Sequence, residues 1–165
     1  MRVTRNLPCR ADSDRGKLEL FTPDGVGPFP VVVCIFGGGW IHGEKEIMEP
    51  YSRVLAEVNI ASVNPNYRHT GTHCHPAQEE DISAVLDWVA GNAVVHGLDA
   101  QRIGLTGGSA GGHLCALVGL KTTRRPAWPS TAQRIISCRR INPRCLLRRS
   151  AGPAPRLRTH ESEEM

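Results

Sequence analysis

A serine framed by glycines, between a strand-like run and a helix-like run, constrains this chain more than any other feature. The stretch is Gly107-Gly108-Ser109-Ala110-Gly111, a G-x-S-x-G pentapeptide. Arg102-Ile103-Gly104-Leu105-Thr106 leads into it, and a helix-like segment from Gly112 to Leu120 follows it. A serine at a sharp strand-to-helix turn is forced outward, with its hydroxyl above the sheet. A side chain at the flanking positions would collide with the neighbouring strand and helix, which calls for small residues there. The helix that follows aims its first N–H groups at the place where negative charge would develop. The stretch therefore reads as a nucleophilic serine. The competing interpretation is a glycine-rich turn that merely ends a strand.

A second element upstream separates the two. Val31-Val32-Val33-Cys34-Ile35-Phe36 is a continuous apolar, β-branched run, as expected of a buried parallel strand. It runs straight into Gly37-Gly38-Gly39-Trp40. A glycine run after a central strand lets backbone N–H groups approach a ligand closely. It supplies one half of an oxyanion hole; the N–H of the residue after the nucleophile, Ala110, supplies the other.

With both elements in this order the chain resembles the α/β-hydrolase superfamily. It is most similar to the lipase and esterase branch whose glycine loop reads H-G-G-G-[WF], with hormone-sensitive-lipase-like and acetyl-xylan or feruloyl esterase-like members. The residues that carry the resemblance are Gly37-Gly38-Gly39-Trp40, Asn66-Tyr67-Arg68, and His75-Pro76-Ala77-Gln78 leading to Asp81. Gly97-Leu98-Asp99, Arg102-Ile103-Gly104 and Gly107 to Leu114 complete the set. The resemblance spans roughly residues 17 to 120. It implies Ser109 as nucleophile, with the N–H groups of Gly38, Gly39 and Ala110 around the oxyanion. Trp40 and His42 stand where they can line the substrate pocket. No metal and no organic cofactor is implied, and the implied partner is a small-molecule ester.

Two departures stand out. Phe36 occupies the position that the pattern gives to histidine. The triad order of this fold is Ser, then Asp or Glu, then His, at the ends of later strands. Fifty-four residues follow Gly111, and they do not resemble the rest of such a domain. Residues 1–120 hold nine Lys/Arg and thirteen Asp/Glu, a net of −4. Residues 121–165 hold eleven Lys/Arg and three Asp/Glu, a net of +8. That last stretch carries five prolines (Pro126, Pro129, Pro143, Pro153, Pro155) and no sustained helical or strand period. It is expected to be a disordered, Arg/Pro-rich tail, with a short strand around Arg134 to Cys138 or a basic binding arm as alternatives. A shift of reading frame or a truncated gene would produce such a break. The acidic bulk of the chain argues against nucleic acid as its main partner.

The chain's 165 residues suit one domain. No apolar run is long enough to span a bilayer. Met1 to Asp14 lacks a signal-peptide core, which suggests a cytoplasmic protein. Six cysteines show no C-x-x-C spacing, and Cys34 and Cys115 read as buried thiols. Residues 1–16 are a polar lead-in, and Lys17 to Thr22 is an early edge strand. Val31 to Phe36 is the central strand, Glu46 to Glu57 a helix with Ile47, Tyr51, Val54, Leu55 and Val58 on one stripe, and Ile60 to Val63 the next strand. Pro76 opens a helix that buries Ile82, Val85, Leu86 and Val89. Ile103 to Thr106 leads to the elbow. The expected fold is the N-terminal part of an α/β-hydrolase, a mostly parallel sheet with flanking helices, cut after the elbow helix. The elbow strand is then a bare edge, which favours self-association.

The base is the open question, because a serine hydroxyl is a poor nucleophile until a neighbour takes its proton. His113 lies one turn beyond Ser109 and points along the helix. His160 has the right order but only neighbouring glutamates for company. Asp81 and Asp99 precede the serine and read as structural, Asp81 on the polar face of its helix. His69, His73, Cys74 and His75 match no closed zinc pattern and read as a polar loop beside a cleft. The expected function is a serine carboxylic ester hydrolase by descent, impaired for want of an identifiable His and Asp. The alternative is an inactive fragment or interaction protein on the same scaffold.

Overall fold

In the computed structural model, residues 1–122 are described, together with the strand at 136–137. The chain runs β1 (Arg2–Pro8), β2 (Lys17–Thr22), β3 (Phe29–Ile35), a 3-10 turn (Lys45–Met48), α1 (Glu49–Glu57) and β4 (Ala61–Pro65). It continues through α2 (Ala77–His96), β5 (Leu98–Gly107), α3 (Ala110–Thr122) and β6 (Ile136–Ser137). The sheet order is β1-β2-β4-β3-β5-β6. β1 and β2 are antiparallel to their neighbours, while β4, β3, β5 and β6 are parallel.

The valine run forms the middle of the sheet because it can be covered on both faces. Val31, Val33, Cys34, Ile35 and Phe36 are fully buried. Helix α1 packs on β4 and β2, and α2 and α3 pack on β5 and on each other. Ile82, Val85, Leu86 and Val89 face inward from α2 as the spacing predicts. Gly97 ends that helix in the left-handed conformation at φ 66°, which a glycine adopts without strain.

Several expectations are corrected. Lys17–Thr22 is not an edge strand, since β1 covers it with Val3 opposite Phe21 and Leu7 opposite Leu18. An edge strand needs only one apolar face, so the polar sequence of β1 concealed it. The helical stripe expected over Glu46 to Glu57 holds only in part. Leu55 is buried, but Ile47 and Val58 are exposed, and Ser52 is buried instead. Ile47 lies in the 3-10 turn before α1 and Val58 caps its end, and the Ser52 hydroxyl donates to Asn64 Oδ1 at 2.8 Å. Asp81 is not on a polar face; it is 5% exposed beneath two arginines.

The elbow strand is not the bare edge expected of it: β6, within the short strand offered as an alternative around Arg134 to Cys138, pairs β5 at Leu105 with Ile136 and Thr106 with Ser137. The other residues beyond Thr122, where the disordered tail, the basic arm and His160 were expected, lie outside the described residues. Among the described residues no helix is long and apolar enough to cross a membrane.

Candidate active site

Register decides where the two glycine-rich turns meet. β3 and β5 are adjacent and parallel, and Ile35 pairs with Gly107. Both strands therefore end at the same level, and both turns leave from the same end of the sheet. A methyl group on Gly37 would stand 2.7 Å from the Gly108 carbonyl oxygen and 3.4 Å from Ser109 Cβ.

Ser109 is exposed and holds φ at 51°, a left-handed conformation rare for a residue with a side chain. Such local strain persists only where the surroundings enforce it. Here they do so by contact. A Cβ on Gly107 would lie 2.6 Å from the Ile35 carbonyl oxygen, and one on Gly111 would lie 2.2 Å from it. Nothing lies within 4 Å of a Cβ on Gly108. The turn is closed by Gly111 N donating to Gly108 O at 2.9 Å and His113 N donating to Ser109 O at 3.0 Å. Ala110 begins α3 and is buried, so its N–H belongs to the unsatisfied first turn of that helix.

The facing loop holds three consecutive left-handed residues, Gly38 at φ 135°, Gly39 at 59° and Trp40 at 62°. Ile41 N and His42 N both donate to Gly38 O, at 3.1 and 3.2 Å, which folds the loop back on itself. Among the described residues no hydrogen bond uses the N–H groups of Gly38, Gly39 or Ala110. Successive N–H groups in such a turn form an anion-binding concavity. Trp40 is half-buried. Its carbonyl accepts Thr70 N at 2.8 Å, and its ring meets the edge of His113 at 5.3 Å between centroids. His42 is exposed on the same loop.

Phe36, in place of histidine, fixes the root of the loop by stacking. Its ring lies 4.3 Å from that of Tyr67 at an interplanar angle of 14°. The Tyr67 hydroxyl donates to the Phe36 carbonyl at 3.1 Å. Burial pushes the Tyr67 phenol up to about 12, so it remains a donor throughout the physiological range.

The other candidates divide. His113 sits against Trp40, and no described histidine hydrogen-bonds the Ser109 hydroxyl. Asp81 accepts Arg68 N at 2.7 Å, Arg68 Nε at 3.0 Å and an Arg10 Nη at 2.9 Å, and so ties the loop after β4 to the N-terminal segment. Asp99 accepts Gln101 N at 2.8 Å at the start of β5. His69 packs edge-on to Phe36 and Tyr67, and its Nε2 is buried with no partner. Burial first, and the Arg15 charge second, hold its ring below the ordinary value. The His73 ring meets the Thr72 hydroxyl at 2.9 Å, and Cys74 and His75 are exposed. Among the described residues no group of three or more His, Cys, Asp or Glu is arranged to hold a metal ion. Sequence reasoning missed Arg15 and Thr70 altogether. They act through backbone carbonyls, which leave no signature in residue type.

Comparison with known proteins agrees with this geometry. The BD-FAE family matches residues 18–134. The chain is 39% identical over 98 residues to the probable carboxylic ester hydrolase LipM of Mycobacterium tuberculosis, covering 59% of this chain and 23% of that protein. It is 35% identical over 117 residues to versiconal hemiacetal acetate esterase of Dothistroma septosporum, covering 70% and 36% respectively. Among solved structures, a bacterial heroin esterase superposes with a TM-score of 0.66 at 30% identity, over 78% of this chain and 41% of that one. The chain thus spans between about a quarter and a third of the two curated relatives' length. On this evidence it belongs to the BD-FAE family, within the esterase branch of the α/β-hydrolase fold.

Proposed function

We propose that this chain carries the nucleophile and the oxyanion pocket of a serine carboxylic ester hydrolase. Ser109 Oγ attacks the ester carbonyl carbon. The oxygen that becomes negative is received by the N–H groups of Gly38, Gly39 and Ala110. The alcohol leaves carrying the proton that Ser109 gives up, and water then hydrolyses the acyl-serine, releasing the acid and returning a proton to Ser109 Oγ. Trp40 and His42, on the loop beside the serine, line the pocket. The observation that carries this reading is the shared level of the two turns, with Ser109 exposed at a left-handed φ beside Gly37. The ester hydrolases among the relatives support it. A small-molecule carboxylic ester is the proposed substrate class.

Among the described residues no histidine hydrogen-bonds the Ser109 hydroxyl, and His113 packs against Trp40, so none of them is assigned as the base. Loss of a base typically costs about 10⁴ to 10⁶ in turnover, leaving the oxyanion pocket and binding to act alone. That favours a second reading, a hydrolase-like scaffold with little turnover of its own. Hydrolysis of p-nitrophenyl acetate by the chain and by Ser109→Ala separates the two. Turnover lost in the variant supports the nucleophile; equal rates in both proteins refute it.

A further inference from the structure

We infer that Arg15 is a positioning residue for the glycine loop, holding the N–H groups of Gly38 and Gly39 in place by fixing the ends of that loop. The inference rests on the proposed role of that loop in binding an oxyanion. Arg15 lies in the connection between β1 and β2, far in sequence from either turn.

Its side chain is four-fifths buried and has three acceptors. Arg15 Nε donates to the Tyr67 carbonyl at 2.8 Å, one Nη to the Gly43 carbonyl at 3.0 Å, and the other Nη to Glu44 Oε1 at 2.7 Å. A guanidinium presents such a planar fork of donors, and an ammonium does not. The arginine itself is held in a closed turn. Arg15 N donates to Ser13 Oγ, Gly16 N to Ser13 O, and both Cys9 N and Arg10 N to Gly16 O. A Cβ on Gly16 would lie 2.1 Å from the Arg10 carbonyl oxygen, so the chain passes closely there.

The acceptors are what make this a clamp on the loop. Tyr67 stacks on Phe36 and bonds its carbonyl, so it fixes the residue where the loop begins. Gly43 is where the loop returns. It holds φ at 109°, and a Cβ there would stand 2.7 Å from the Phe36 ring and 2.9 Å from the Gly37 carbonyl oxygen. Arg15 thus holds the Gly43 end of the segment 36–43 directly and the Phe36 end through Tyr67. Glu44 extends the grip: its other oxygen accepts Asn66 Nδ2 at 2.7 Å, and Asn66 Oδ1 accepts Lys45 N at 2.8 Å. The loop between these ends contains three left-handed residues in a row. Such a run keeps one arrangement only while its ends are held.

The test uses the full chain with Arg15→Gln, Arg15→Lys and Arg10→Gln. Arg10 lies in the same N-terminal segment and binds Asp12 and Asp81, not the glycine loop. Two readouts are taken: hydrogen exchange of the amides of residues 37–43, and kcat and KM for p-nitrophenyl acetate. Arg15→Gln is expected to speed loop exchange selectively and to lower kcat about tenfold with KM within about twofold, as misplaced oxyanion donors would. Arg15→Lys keeps the charge but not the fork and is expected to fall between. Arg10→Gln is expected to lower the melting temperature with loop exchange and kcat little changed. Loop exchange in Arg15→Gln that matches the parent chain, or matches Arg10→Gln, overturns the inference. So does a selective rise in exchange with kcat unchanged. If Ser109→Ala retains the parent rate, the hydrolase reading fails separately, and the exchange data alone decide whether Arg15 holds the loop.

Discussion

The two turns that meet above β3 and β5 are held in different ways. The elbow is held by what touches it directly. Gly107 and Gly111 admit no side chain because the Ile35 carbonyl occupies the space, and the chain resumes a helix at once. The glycine loop is held by hydrogen bonds and a ring stack from other segments. Its root depends on a stack with Tyr67, its far end on Arg15, and Trp40 on Thr70. The elbow is a steric solution and the loop a hydrogen-bonded one. Steric exclusion tolerates no substitution at the crowded atoms. A distributed set of pins weakens by steps.

That contrast can be broken most sharply at Gly111. Gly111→Ala places a carbon 2.2 Å from a backbone oxygen of the central strand, which cannot step aside. A loss of about 4 kcal/mol or more is expected in urea unfolding. Gly108→Ala, three residues away, meets nothing and is expected to change stability by less than about 0.5 kcal/mol. Similar losses at the two positions would show that the elbow is not held by contact.

Phe36→Ala tests the root of the loop. The ring is fully buried, so its removal is expected to cost about 3–4 kcal/mol. It should also free Tyr67, visible as increased quenching of tyrosine fluorescence by acrylamide. Tyr67→Phe is gentler. It keeps the stack and removes the hydroxyl that satisfies the Phe36 carbonyl, for an expected loss of about 1–2 kcal/mol by the same unfolding assay.

The smallest effect concerns pH. His69 is held below its ordinary value of 6.5, chiefly by burial. Between 6.5 and that lower value the unfolded chain binds more protons than the folded one. The stability from the neutral ring is complete above about pH 6.5 and is lost as pH falls through the folded value. Urea midpoints at pH 7.5 and pH 5.5 should therefore differ more for the parent chain than for His69→Gln. An unchanged difference would remove His69 from the account.

Much of this was legible in the residues. The valine run could only be a strand covered on both faces. Ile82, Val85, Leu86 and Val89 marked the inner face of α2 because a helical period survives whatever packs against it. The strand at Arg2–Pro8 was hidden, since an edge strand is held by backbone pairing that its side chains do not advertise. Asp81 was misread for a related reason. A carboxylate in the first turns of a helix normally faces water, and only Arg10 and Arg68, from two other segments, make its burial tolerable. Ile47 and Val58 fall off the expected stripe because neither lies in α1: Ile47 sits in the 3-10 turn and Val58 is the capping residue past the last helical turn.

The sequence by itself determined the elbow, because glycine spacing around a serine encodes excluded volume within a few residues. It likewise determined the apolar strand that feeds the glycine loop, and with it the family. Tertiary structure alone decided that Ile35 and Gly107 stand side by side, that Phe36 finds Tyr67, and that Arg15 reaches Gly43. Those are contacts between backbone groups far apart in the chain. Every residue carries the same carbonyl and the same N–H, so their partners are chosen only when the sheet assembles.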